Sequence, residues 1–219
     1  NVLEIMAPVN IRETLHIKDG NALSLELLDA PSAEGNSSNR HTELVLKNGR
    51  IPIEAVIFDL DGTLIDSTEA YYRIVEIVLE KMGFPVVSRD IILQAAGNGS
   101  FDWDRIFLNV PTVDRDKVLE KAWSLVKEVY PEIFRTQVTL FPEALYSIGR
   151  IADLGLALAI VTATPRANMT EKLRLLRSQG VLDLFREIIT SDDVEKRKPD
   201  PSPLILCARR LGISSERCL

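Results

Sequence analysis

The chain has 219 residues, 46% apolar and 26% charged, enough to bury one large domain or a domain carrying an insertion. Its formal charge of −6 and pI near 5.1 argue against a general binder of nucleic acid or membrane surfaces, though not against an anionic substrate met by a local lysine. Two cysteines outside any Cys-x-x-Cys spacing, two histidines and no apolar run near the length of a membrane span argue against a disulfide framework, a zinc site and a transmembrane helix, which leaves the cytoplasm as the default location.

Residues 1–50 begin with an Asp19-Gly20 turn signal, after which Leu23, Leu25 and Leu27 alternate with Ser24 and Glu26 as in a half-buried strand. Pro31 to Asn39 has the composition of a loop. Thr42 to Lys47, followed by Asn48-Gly49, predicts a hairpin that leads into a core strand near Ile53. A small β-rich extension over 1–50 is the reading, with a loosely packed tail as its alternative.

Val56-Ile57-Phe58 is an apolar run that delivers Asp59, Asp61, Gly62 and Thr63 to its exit. The two aspartates are two apart, so on an extended strand they lean to one side while Leu60 turns away. Like charges that close repel, and a bound cation or a shared proton relieves them. Either arrangement sets a nucleophile beside an acid. The plain alternative is a strand ending in an Asp-Gly turn.

Asp66 or Ser67 can cap a helix, and Asp66 with Glu69 three residues later is a capping-box-like start. Tyr71, Ile74, Val75, Val78, Leu79 and Met82 share one of its faces, and Gly83 marks its end. Val118, Ala122, Leu125, Val126 and Val129 repeat the pattern in a second long helix, which Pro131 should terminate. These stripes are core packing, so 68–138 reads as helical hairpins inserted between elements of the core. Gly97-Asn98-Gly99-Ser100 lacks the lysine and spacing of a nucleotide-binding loop and reads as a turn or a specificity loop.

Beyond 139, helix and strand alternate. Pro142–Asp153 reads as a helix with Gly155 after it, Leu156–Thr162 as a strand and Arg166–Ser178 as a helix. Glu187–Thr190 reads as a strand and Pro203–Leu211 as a helix before Gly212. Such alternation implies right-handed βαβ units around a parallel sheet, which binds ligands at the carboxyl ends of its strands. Asp59, Thr162 and Lys198 all fall at or just after strand ends. Taken singly, Thr162 is a structural hydroxyl and Lys196-Arg197-Lys198 a solvated basic turn.

Asp59-Leu60-Asp61-Gly62-Thr63-Leu64 resembles the first motif of the phosphatases of the haloacid dehalogenase-like (HAD) hydrolase superfamily, and with the two further motifs and a helical cap the chain resembles the phosphoglycolate phosphatase-like subgroup. The run from Ala157 to Thr164 is similar to the second motif, and Lys198-Pro199-Asp200-Pro201, after Ile188 to Asp193, to the third. They stand in the family's order, 103 and then 36 residues apart from Asp59 to Thr162 to Lys198. The resemblance spans 53–219 and implies an α/β fold. A Rossmann-like parallel-sheet core of 51–67 and 139–219 would carry an inserted helical cap, 68–138, that closes over the substrate. It also implies roles: Asp59 attacks a phosphate ester, Asp61 protonates the leaving oxygen and later activates water, Thr162 and the N–H of Ala163 bind the phosphate, and Lys198 neutralises charge. Mg2+ would be held by Asp59 and by the backbone carbonyl of Asp61, and the partner would be a small phosphorylated metabolite. An acid at position 61 favours phosphate-ester cleavage, because the dehalogenase branch lacks one and the phosphonate-cleaving branch typically has alanine there. A phosphomutase, or a non-catalytic relative with a binding role, remains as an alternative.

The family's fourth motif, a strand ending in Gly-Asp or paired acids that completes the magnesium site, normally follows a phrase like Leu211 to Leu219. No Gly-Asp occurs after Lys198, so the chain reads as truncated before that motif. The expectation is weakened metal affinity, little activity and a bare hydrophobic strand edge beside the first motif.

Overall fold

Three apolar runs build a parallel sheet in the computed structural model, which describes residues 42–46, 49–96, 101–108 and 114–219. The strand expected at Leu23–Leu27, the loop at Pro31–Asn39 and the glycine-rich segment 97–100 lie outside the described residues. Thr42–Leu46 (β1) and Gly49–Ile53 (β2) pair antiparallel, the hairpin that Asn48-Gly49 predicts. Ala55–Phe58 (β3) then enters the sheet, and Ile65–Asp66 (β4) follows it.

Among the described residues, four helices lie between β4 and the strand it pairs with: Thr68–Met82 (α1), Arg89–Ala96 (α2), Trp103–Ile106 (α3) and Arg115–Gln137 (α4). Thr139–Leu140 (β5) returns antiparallel to β4, with Ile65 opposite Leu140 and Asp66 opposite Thr139. The chain then runs through Ala144–Asp153 (α5), Ala157–Val161 (β6), Met169–Lys172 (α6) and Arg174–Ser178 (α7). Phe185–Ile189 (β7) and Ser202–Leu211 (α8) complete it. The order β3-β6-β7 is parallel throughout, so the expected α/β core is present.

Burial follows the periodicities. All five residues of β6 are buried, as a central strand covered on both faces requires. On α1, Ile74, Val75, Val78 and Leu79 are buried, and each contributes roughly 2 kcal/mol by leaving water. Gly83 ends that helix with φ +74, a left-handed turn that a side chain would strain.

Three local expectations are corrected. The second long helix does not stop at Pro131 but runs on to Gln137. Pro131 is exposed, so the carbonyl it leaves unbonded meets water. Phe134, fully buried, stacks on Tyr130 at 4.1 Å and meets Tyr71 edge-on at 5.5 Å, which anchors the continuing turns. The capping box at Asp66 and Glu69 does not form. Ser67 occupies the cap position but donates its hydroxyl to Asp61 (2.8 Å), while Glu69 pairs with Arg89. Finally, the segment read as one helix over 166–178 is a 3-10 turn at Arg166–Asn168 followed by α6 and α7.

The outer edge of β3, expected to be bare, is covered along its first half. Leu219 N–H donates to Ala55 O (2.9 Å), Ile57 N–H to Leu219 O (2.7 Å) and Glu54 N–H to Arg217 O (2.9 Å). Cys207 and Cys218 are free and buried near that edge. Burial pushes the Cys207 thiol up to about 12 and raises that of Cys218, so both are protonated, inert packing groups.

Candidate active site

Parallel register brings three strand ends level: Phe58 lies beside Ile160, and Val161 beside Ile189. The residues that follow each strand therefore gather at one edge of the sheet. Asp59, Asp61, Thr162, Ala163 and Lys198 all line a single cavity of about 630 Å³ there, beneath the helical layer.

Asp59 leaves β3 with its Oδ1 accepting the Leu60 N–H at 2.8 Å and an ion pair from Lys198 Nζ at 2.7 Å. Oδ2 has no partner among the described residues. Leu60 is buried, and the chain reverses behind it. Gly62, at φ +78, makes the left-handed step, its N–H donates to Ile65 O, and the N–H groups of Leu64 and Ile65 return to Leu60 O. This turn is why a glycine follows the second aspartate.

Asp61 is held on both oxygens. Oδ1 accepts from Ser67 Oγ at 2.8 Å; Oδ2 accepts from Lys172 Nζ at 2.5 Å and from Thr164 Oγ1 at 3.1 Å. Lys172 is only 3% exposed, and its remaining donors reach Thr164 Oγ1 (2.8 Å) and Tyr71 Oη (2.9 Å). Burial first, then the Asp61 and Asp59 charges, raise the Tyr71 phenol well above its usual range, so it stays a neutral hydroxyl. Repulsion between the two aspartates is thus relieved by two separate ammonium groups, one for each carboxylate.

Lys172 and Thr164 were not among the residues singled out from the sequence. The available signal was positional: within 166–178 the buried residues are Met169, Lys172, Leu173 and Leu176, so a cation sits on an apolar helical stripe.

Thr162 is buried; its N–H donates to Ile189 O (2.9 Å) and its Oγ1 accepts the Thr164 N–H (3.1 Å). Lys198 Nζ also donates to Val161 O (3.2 Å), tying the loop after β7 back to β6. A second brace joins the same loops. Asp193 accepts from the Thr190 N–H (2.8 Å) and Oγ1 (2.7 Å), pairs with Arg166 (2.7 Å) and receives Arg210 from α8 (3.1 Å).

Burial disfavours the Asp193 charge, but the Thr190 amide and hydroxyl, then Arg210 and Arg166, outweigh it and hold the carboxyl below its usual range. A folded value below the unfolded one, about 3.9, means that the stabilisation is complete above that pH and is lost as pH falls through the folded value. Asp193→Asn is therefore expected to cost about 2 kcal/mol at neutral pH. In acid denaturation series, the gap between variant and parent should close below about pH 4.

Among the described residues, no cluster of three or more carboxylate, histidine or cysteine side chains is placed to hold a metal. Asp59 and Asp61 both line the cavity, and a carboxylate and a backbone carbonyl are hard oxygen donors. Such a set suits magnesium only when phosphate oxygens and water complete the shell.

A family model described as haloacid dehalogenase-like hydrolase matches residues 56–219, and the chain belongs to that family. Among its relatives are phosphoglycolate phosphatases. Those of Salmonella typhimurium and Escherichia coli K12 are 31% and 30% identical to it over 76% of this chain and 72% of theirs. A HAD-superfamily hydrolase of subfamily IA, variant 1, from Geobacter sulfurreducens shares the α/β fold with a TM-score of 0.59 at 22% identity, covering 76% of both chains.

Proposed function

We propose that the protein is a magnesium-dependent phosphatase that cleaves a small phosphomonoester through an aspartyl-phosphate on Asp59. The observation that carries this reading is the pairing of Asp59 with Lys198 at 2.7 Å, in a cavity that Thr162, Ala163 and Asp61 also line. Oδ2 of Asp59 attacks phosphorus, and the bond to the ester oxygen breaks as Asp61, having taken up a proton from water once the substrate is bound, passes that proton to the leaving oxygen. Water then attacks the acyl phosphate, Asp61 takes its proton, and inorganic phosphate leaves. Lys198, the Thr162 hydroxyl and the Ala163 N–H are arranged to hold the equatorial oxygens, where charge stabilisation does most of the catalytic work. Magnesium, bound by the Asp59 carboxylate and the carbonyl at 61, would add positive charge beside the same oxygens. The helices between β4 and β5 act as the cap that excludes water.

Support comes from the family membership and from the phosphoglycolate phosphatases among the relatives. Phosphate release from a panel of phosphomonoesters, with magnesium and with chelator, tests the reading. A phosphoryl adduct on the peptide that contains Asp59 is the expected intermediate. An isomerised sugar phosphate without free phosphate would replace hydrolysis by a mutase reaction. Thr162→Val, which removes one phosphate donor and strands the Thr164 N–H, is expected to lower kcat/KM about 100-fold in the same assay.

A further inference from the structure

The cavity above Asp59 has two chemically distinct walls. Its sheet side carries every charged lining group found among the described residues: Asp59, Asp61, Lys172, Arg197 and Lys198. Among the described residues, the helical side carries none. From α1 come Tyr71, Ile74 and Val75, at helical i, i+3, i+4 spacing. From α4 come Trp123, Val126 and Tyr130, at i, i+3, i+7, and α3 adds Trp103. Trp103 packs edge-on against Trp123 at 6.3 Å, and Trp123 keeps 43% of its surface exposed. An indole left that open on a wall facing a reactive carboxylate is an apolar contact surface without an occupant from the described chain.

The cations are mostly committed. Lys172 spends its donors on Asp61, Thr164 and Tyr71, and Lys198 is paired with Asp59. Arg197 is exposed at the rim. A second anionic group on the substrate, such as a carboxylate directed toward the helices, would lose its water there against no described charge. The volume of about 630 Å³ suits a ligand well beyond a two-carbon acid.

We propose that the substrate's alcohol is uncharged and presents a ring or branched hydrocarbon face to Trp123, Val126 and Tyr130, with the buried Trp103 backing Trp123, in contrast to the carboxylate of phosphoglycolate. This rests on the phosphatase reading for the orientation of the ester, with its phosphate at Asp59 and its leaving group beneath the helices.

The chain's two tryptophans both line this cavity, so intrinsic fluorescence reports its occupancy without turnover. Benzylphosphonate and phosphonoacetate, with equal phosphonate heads, are titrated into the full chain in magnesium. The expected result is about tenfold tighter binding of benzylphosphonate. Equal or tighter binding of phosphonoacetate, as Arg197 could produce, overturns the proposal, and so does failure of both to bind. By calorimetry, Trp123→Ala should weaken benzylphosphonate about fivefold or more, and inorganic phosphate far less. Equal losses for both overturn it. If benzylphosphonate binds selectively but no phosphomonoester is hydrolysed, the phosphatase reading fails while the pocket assignment stands.

Discussion

Asp59→Asn is expected to abolish phosphate release, with a loss of about 10^4-fold or more in kcat/KM, while the protein folds as before. The amide keeps an oxygen for the Leu60 N–H, so the turn through Gly62 retains its bonds. What it lacks is a charged oxygen able to form an acyl phosphate, together with the charge opposite Lys198. Both partners are about one-fifth exposed, so the broken pair costs on the order of 1 kcal/mol in stability. Circular dichroism and phosphate release measured on the same preparation separate the two effects. Magnesium-dependent turnover surviving in this variant would remove Asp59 from the chemistry.

Lys172→Met is expected to lower stability by about 3 kcal/mol, a fall in Tm of roughly 8 °C for a chain of this size. Methionine matches the length of the stem, and Phe134 and Tyr71 already pack near the ammonium at 5.4 and 5.5 Å from their ring centres. The penalty arises because Asp61 and Thr164 lose the cation that faces them. Asp61→Asn leaves the opposite problem, a lysine 3% exposed without its counter-ion. The double variant should therefore be less destabilised than the sum of the singles, with coupling of about 2 kcal/mol in denaturant titrations. Additive penalties would mean that the pair is not a unit.

These expectations show which parts of the molecule were legible in its sequence. Strand ends were: β3 and β6 are unbroken apolar runs, and the polar residue that interrupts each run is the one placed at the cavity. Family membership is now established, so the α/β core and the hydrolase class follow together. Lys172 was hidden because it is 111 residues from Asp61, and a lysine after Thr170-Glu171 reads locally as a solvated helix face. The Asp66–Glu69 box misled for a related reason: a capping signal counts only local partners, while Arg89 competes for Glu69, and Ser67, which does take the cap position, gives its hydroxyl to Asp61. Pro131 misled because its penalty falls where water can answer the lost bond, and the aromatic contacts of Phe134 outweigh it. Tertiary packing overrode propensity in each instance.

The β4–β5 pairing has a consequence for how such a protein can change. Departure and re-entry of the chain sit opposite one another, at Asp66 and Thr139, so everything between them hangs from a stem two residues deep. A tight turn joining those two positions would preserve the sheet's covalent path while deleting the aromatic roof. A roof of different shape on the same stem would have to supply new partners for the Lys172 ammonium, which reaches Tyr71 Oη, and for the apolar side chains that roof and sheet now share.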